Sequence, residues 1–240
     1  MKGGEKMRKI LAGFSILSIL ALAVSPAWAV NQSRNPTPTP SDIEKITFVH
    51  YTKPDGHSKP VWDDTQEDFR LITGGVKWPK TISYEVNPTG SNLDPEGVKN
   101  AFEMSSETWD VKTGFELFAP PTITTDSSVG YDNTNRVIWE TLEPGVIAVT
   151  YLWYNPAAKQ IVEFDMVFNT YYLWSLTGES TKMDVQNIAT HELGHNGLGD
   201  LRPPKDWALT MYAYSGLGEV DKQTLGIGDI LGIQKLYGGI

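Results

Sequence analysis

The sequence predicts an α+β domain in which a twisted, mixed or mostly antiparallel sheet packs against two main helices and a C-terminal helix. Two observations predict this class. Short runs rich in β-branched and aromatic residues lie between Gly- and Pro-containing turns, as is typical of strands. Apolar residues elsewhere recur at helical spacing after capping residues. The predicted order is strand, helix, strands, helix, irregular segment and helix.

The first strand and helix follow from local signals. Residues 81–86 read Thr-Ile-Ser-Tyr-Glu-Val, which is typical of a strand. Asp94 and Pro95 then form an N-cap and first-turn pair. Apolar side chains recur at helical spacing over 98–109, and Gly114 follows as a helix end. A strand and a first main helix are therefore predicted here.

The sequence pattern in the middle of the chain predicts three more strands. Their ranges are 136–141, 146–154 and 161–169. The last two are joined by a short Asn-Pro-Ala turn, so we expect them to be antiparallel neighbours. A second main helix follows, capped by Asp184 or Ser180. A glycine-rich segment then leads to a final helix at about 229–237.

The N-terminus has the pattern of a secretory signal peptide over residues 1–29. A basic stretch precedes an apolar run over 10–24, and Ala27-Trp28-Ala29 gives the small-x-small cleavage pattern. A membrane anchor is the alternative, but the apolar run is short for a spanning helix. We therefore expect cleavage after Ala29 and a secreted, extracellular protein without a stable membrane anchor.

Residues 30–68 predict a tether and an N-terminal extension, which is a possible prosegment. Three prolines in a polar run favour an extended tether over 31–42, and a strand is expected at 43–51. The folded core is expected to span 69–240.

The cysteine content and the net charge of the chain limit the covalent links and the partners it can have. The chain has no cysteine, which excludes disulfides and a lipid anchor on an N-terminal cysteine. Its formal net charge is −9, which argues against nucleic acid as a partner. We expect a monomer.

Residues 190–201 contain the motif H-E-x-x-H. On a helix, His191 and His195 lie on one face and can bind the same Zn²⁺. Glu192 lies one step round the helix, beside a water activated by the metal. This arrangement predicts zinc-dependent hydrolysis with Glu192 as the general base.

The residues after the motif supply a candidate third ligand. Gly197 can adopt the left-handed conformation, end the helix and turn the chain back, so that Asp200 reaches the metal. Zinc accepts a carboxylate oxygen at about 2.0–2.2 Å. Glu219 or Asp221 is the alternative third ligand.

These motifs, in this order, resemble the metzincin zinc peptidases and, within them, the matrixins. Residues 101–110 are similar to the first matrixin helix, and 225–238 are similar to the last. Residues 209–212 resemble the Met-turn, which implies that Met211 lies as a hydrophobic floor beneath the metal. The resemblance implies a matrixin-like catalytic domain over 69–240 that acts as a zinc endopeptidase on protein or peptide substrates.

The chain departs from the family pattern H-E-x-x-H-x-x-G-x-x-H. One deletion after Asn196 aligns Gly197 with the family glycine and Asp200 with the third ligand. Gly228 replaces the first of two family aspartates and leaves Asp229, which we expect to hold the Met-turn by hydrogen bonds. A non-catalytic metal-containing binding protein on the same fold is the alternative function, although Glu192 argues against it.

Three further features give weaker predictions. Residues 126–135 are rich in oxygen ligands and suggest either Ca²⁺ or a solvated turn, the latter being favoured. Glu163 and Asp165 share one face of a strand, which we expect to be a surface face. The extension contains no cysteine with which to cap the zinc. Four zinc-competent side chains are candidates for that role instead: His50, Asp55, His57 and Asp63.

Overall fold

The computed structural model describes residues 42–53, 67–202 and 208–239. The predicted signal peptide, its cleavage site and the polar tether lie outside these residues, as do Asp55, His57 and Asp63. Within the described part of the chain, no helix has the length and apolarity needed to span a bilayer.

The longer strands and the helices follow the predicted order, and several short strands were not predicted. The strands are β1 Glu44–Thr52, β2 Tyr84–Val86, β3 Thr122–Ile123, β4 Asn135–Glu140, β5 Val146–Asn155, β6 Gln160–Asn169, β7 Trp174–Ser175, β8 Met183–Asp184 and β9 Tyr214–Ser215. The helices are α1 Pro95–Asp110, α2 Val185–Gly194 and α3 Ile227–Tyr237. The predicted α+β class is confirmed.

Seven strands form one mixed sheet in the order β3-β2-β4-β6-β5-β1-β9. As predicted, β5 and β6 are antiparallel neighbours. The strand β1 is antiparallel to β5, from Glu44 opposite Tyr154 to His50 opposite Ala148. The other pairings in this sheet are parallel. Part of the predicted extension therefore belongs to the main sheet.

Helix starts follow the predicted capping chemistry. The Asp94 carboxylate accepts a hydrogen bond from the Gly97 N–H at 2.8 Å and begins α1. Asp184, rather than Ser180, caps α2 by accepting from the Asn187 N–H at 2.9 Å. Both carboxylates satisfy N–H groups that have no partner within the helix.

The core lies between the sheet and the two main helices and fixes α2. Phe102 of α1 is fully buried and packs edge-on against Phe168 of β6, with 5.4 Å between ring centroids. Trp109, also fully buried, donates its indole N–H to the Thr190 carbonyl at 2.9 Å. Because Thr190 directly precedes the motif, α1 and the sheet together set the position of its side chains.

The expectation that Glu163 and Asp165 form a surface face is wrong, because both are fully buried. Glu163 accepts from the Asp132 N–H at 2.9 Å, and Asp165 accepts from the Gly130 N–H at 2.8 Å. Burial raises the pKa of Asp165 to about 7. These carboxylates satisfy the backbone of the loop 126–135, which folds over β6. The solvated turn, with Ca²⁺ binding as its alternative, stays a prediction for this loop.

Candidate metal centre

The two motif histidines lie at the C-terminal end of α2. Their rings are perpendicular, with centroids 4.9 Å apart. His191 Nδ1 lies 2.7 Å from the Thr210 carbonyl oxygen, and His195 Nδ1 lies 3.0 Å from that of Leu198. A carbonyl only accepts, so each Nδ1 carries the proton as donor. Each Nε2 is then an unprotonated lone pair, as a metal ligand must be.

Asp200 completes a group of three converging atoms. Its Oδ1 lies 3.4 Å from His191 Nε2 and 3.6 Å from His195 Nε2. All three atoms are buried and have no hydrogen-bond partner. Ligands at zinc bond lengths in a tetrahedron lie roughly 3.3–3.6 Å from one another. The three atoms therefore fit a zinc ion in both chemistry and spacing.

The protonation states of the group also suit a cation. Burial lowers the pKa of His191 to about 3 and that of His195 below its ordinary value, so both rings are neutral at pH 7. Burial alone would raise the pKa of Asp200, but its contacts with the two histidines lower it to about 2. Two neutral imidazoles and one carboxylate can bind a metal without first losing protons.

The turn that carries Asp200 differs from the expectation. Gly197 was expected to adopt the left-handed conformation, but neither Gly197 nor Gly199 has a φ in that region. A Cβ on Gly197 would lie 2.5 Å from Leu236 Cδ1 of α3. The glycine is therefore required by close packing of the turn against α3. The Gly199 N–H donates to the Arg70 carbonyl at 2.8 Å and fixes the end of the turn.

Met211 packs against α2, and Asp229 holds the segment that carries Met211. A Cβ on Gly194 would lie 2.3 Å from Met211 Sδ, so the thioether packs directly against α2 at the residue that precedes His195. The buried Asp229 carboxylate accepts from the Thr210 N–H at 2.8 Å and the Met211 N–H at 3.1 Å. Asp229 therefore makes the hydrogen bonds to the Met-turn segment that the sequence suggested.

The alternative third ligands lie elsewhere. The carboxylate grouped with His191 and His195 is that of Asp200. Glu219 instead accepts from Lys53 Nζ at 2.6 Å and from the Gly216 N–H at 3.0 Å. Asp221 begins a short 3-10 helix, Asp221–Gln223.

Glu192 is fully buried, and both of its carboxylate oxygens are engaged. Its Oε1 lies 3.0 Å from His50 Nδ1, and its Oε2 accepts from the Thr150 hydroxyl at 2.5 Å. Burial raises the pKa of Glu192 to about 8. The predicted base therefore contacts β1 and β5 rather than solvent.

His50 was predicted as a candidate zinc cap, and the structure gives it other contacts. Its ring is fully buried, with its centroid 3.9 Å from that of His191. Beyond the contact with Glu192, its Nε2 lies 3.0 Å from Ser215 Oγ and 3.3 Å from Lys222 Nζ. Because Lys222 only donates, Nε2 accepts, and Nδ1 donates its proton to the carboxylate of Glu192.

Two neighbours of this centre carry no signal in the sequence. Thr150 is a single hydroxyl in an apolar strand, and it meets Glu192 across 42 residues of chain. Lys222 lies in a polar stretch, yet it is only 1% exposed and donates to the carbonyls of Tyr212 and Tyr214. Burial lowers its pKa to about 8. Only the folded chain brings these side chains together.

The fold and the site together indicate the class of enzyme to which this protein belongs. A mixed sheet above a helix with an H-E-x-x-H motif, supported by a buried methionine turn, is the arrangement of a metzincin-type zinc peptidase.

A family model described as Matrixin, a peptidase family, matches residues 77–238, which is more than half of the chain. The chain belongs to the matrixin family. It is a zinc metalloendopeptidase that acts on protein or peptide substrates, and its catalytic cofactor is Zn²⁺. The strand β1 precedes the matched range.

Proposed function

We propose that His191, His195 and Asp200 hold the catalytic zinc ion and that Glu192 is the general base for peptide hydrolysis. The observation that carries this assignment is the convergence of three buried ligand atoms, none of which has a hydrogen-bond partner. An unpaired buried polar atom is costly, and three that face one another are accounted for by a shared cation.

When bound, zinc lowers the pKa of a coordinated water towards 7 and polarises the scissile carbonyl. Glu192 accepts the proton of the attacking water and delivers it to the leaving amine. The Thr150 hydroxyl holds one oxygen of this carboxylate and so limits its rotation. Met211, fixed by Asp229, keeps the end of α2 in place under the two imidazoles.

Export is the second part of the proposal. The basic, apolar and small-x-small pattern over residues 1–29 supports it, as does membership of a family that is typically secreted. The mature enzyme would then be an extracellular monomer without a membrane anchor.

The variant Glu192→Ala tests the mechanism. Zinc content should stay at that of the unmodified protein, because Glu192 is not a ligand. Cleavage of a generic fluorogenic peptide should fall by about 10²–10⁴-fold, as expected for loss of a general base. The assay is run with and without a chelator. Activity that persists in Glu192→Ala would remove this residue from the mechanism, and no cleavage by any zinc-loaded form would favour the non-catalytic alternative.

A further inference from the structure

The loop between β3 and β4 folds around the side chain of Arg136, the second residue of β4. This side chain is only 5% exposed, whereas the carboxylates around it are partly exposed. Its Nη1 donates to the Asp132 carboxylate at 3.0 Å and to the Ser128 carbonyl at 3.2 Å. Its Nη2 lies 3.2 Å from Asp126 Oδ2, and its Nε lies 3.7 Å from Glu85 Oε2. One buried cation therefore joins the loop to β2 and β4.

The two aspartates of the loop use both of their oxygens. Asp126 Oδ1 accepts a hydrogen bond from the Ser128 N–H at 2.8 Å. Asp132 Oδ1 accepts from the Thr134 N–H at 2.9 Å. The second oxygen of each aspartate faces the guanidinium. Each carboxylate thus shapes a local turn with one oxygen and binds the internal cation with the other.

The two buried carboxylates of β6 are satisfied by the backbone of the same segment. Asp165 accepts from the Gly130 N–H and, through its other oxygen, from the Arg136 N–H at 3.1 Å. Glu163 accepts from the two successive N–H groups of residues 132–133, one with each oxygen. These carboxylates face N–H donors, so they are not arranged as ligands of a metal ion.

The arrangement of these oxygens does not fit a calcium ion. Matrixins bind structural Ca²⁺, and this loop is the candidate for it in the sequence. Calcium needs about six to eight oxygen ligands at about 2.3–2.6 Å. Among the described residues, the groups of three His, Asp or Glu ligand atoms within 4.8 Å of one another both lie at the zinc centre. The position between the loop carboxylates holds the guanidinium of Arg136 instead.

We propose that the Arg136 guanidinium is the cation that closes the loop 126–135 and that it takes the place of Ca²⁺ there. Arginine stays protonated in proteins, and its planar fork directs several donors to different acceptors. A cation that belongs to the chain is always present, so the stability of the loop does not depend on the calcium concentration, as it would for a bound ion. None of these side chains belongs to the zinc group, so the inference is independent of the proposed function.

A calcium titration of the zinc-loaded protein tests the inference directly. The protein is freed of calcium on a chelating resin and reloaded with zinc, and its Tm is measured in about 10 mM CaCl2, roughly ten times the weakest Kd of extracellular calcium modules. A calcium site in the loop would raise Tm by about 3–6 °C. We expect a shift of less than about 1 °C relative to the same concentration of MgCl2, which controls for the charge of a divalent cation.

Arg136→Gln tests the role of the internal cation, with Lys99→Gln as its matched control. Arg136→Gln should lower Tm by at least about 4 °C, because three carboxylates then face one another without a cation. Lys99 pairs with Glu103 at 3.4 Å on the surface of α1, so its loss should lower Tm by less than about 2 °C. Calcium at about 10 mM should raise the Tm of Arg136→Gln by about 3 °C, because the freed oxygens are ligands that calcium prefers.

Hydrogen exchange shows whether the loss is local. The amides of Gly130 and Asp132 should exchange at least about tenfold faster in Arg136→Gln than in Lys99→Gln, while those of α1 change little. If Arg136→Gln does not fold, Asp132→Asn serves, with an expected loss of about 1–3 °C in Tm.

Two results would overturn the proposal. One is stabilisation of the unmodified protein by calcium as large as that of Arg136→Gln. The other is a Tm of Arg136→Gln no lower than that of Lys99→Gln.

Discussion

At the scale of single residues, the proposed centre uses the short carboxylate of Asp200 where the family pattern has histidine. Asp200 Oδ1 lies 3.4 Å from His191 Nε2 and 3.6 Å from His195 Nε2, at the end of a turn that packs closely against α3 at Gly197. Neither histidine can compensate for its loss, since each Nδ1 is already committed to a backbone carbonyl.

Asp200→Asn should weaken zinc binding by at least about a hundredfold, which is the upper end of the loss seen for an outer-shell partner. The amide keeps the shape of the side chain but loses its charge. Competition with a chromophoric chelator measures the affinity.

Glu219→Gln is the matched control, since it neutralises the alternative carboxylate and should leave zinc affinity unchanged within about twofold. If Glu219→Gln weakened binding while Asp200→Asn did not, the third ligand would be Glu219.

At the scale of elements, the position of α2 depends on Gly194, because the absence of a Cβ there lets the helix pack closely against its neighbours. Gly194 lies in the helix, where alanine is normally the better residue by about 1 kcal/mol. Here a Cβ would lie 2.3 Å from Met211 Sδ and 2.6 Å from the Trp109 ring. Packing therefore outweighs helix propensity at this position.

Gly194→Ala should lower the free energy of unfolding by about 1–3 kcal/mol, as expected for overpacking a core. It should also weaken zinc binding, since the helix end must shift. Denaturant unfolding gives the first quantity and chelator competition the second.

Gly216→Ala is the control, because the nearest atom to its Cβ would be 3.8 Å away. A loss of stability as large in Gly216→Ala as in Gly194→Ala would argue against the packing explanation.

At the scale of the whole molecule, the proposed zinc ligands come from the C-terminal end of α2 and from the turn that follows it, and the chain has no disulfide to assist. A metal that binds only the folded state adds about 4 kcal/mol to its stability when free zinc is 1,000 times its Kd.

Removal of zinc by a chelator should therefore lower Tm by at least about 8 °C for a domain of this size. Glu192→Ala should show the same decrease, because its ligands are intact. Asp200→Asn should show little change on chelation. Differential scanning calorimetry at fixed protein concentration measures the three Tm values. If the chelator left the Tm of the unmodified protein unchanged, zinc would not contribute to stability.

Much of the fold follows from local chemistry. The range of β5 and β6, their antiparallel pairing and the caps at Asp94 and Asp184 were predicted within one or two residues. These features depend on neighbours in sequence: turn length, side-chain alternation and a carboxylate next to free N–H groups. The burial of Glu163 and Asp165 was not predicted, since the N–H groups they satisfy lie about thirty residues away.

The sequence by itself determined the family, the two histidines on one helical face, and Glu192 beside them, because helical periodicity and residue type suffice for these. Tertiary structure decided the contacts of that glutamate. His50 lies 142 residues from Glu192 in sequence, and no local pattern predicts that they meet. Tertiary structure likewise decided that β1 covers the centre, because the pairing of one strand with another is a contact between distant segments and depends on which sheet edge the rest of the fold leaves open.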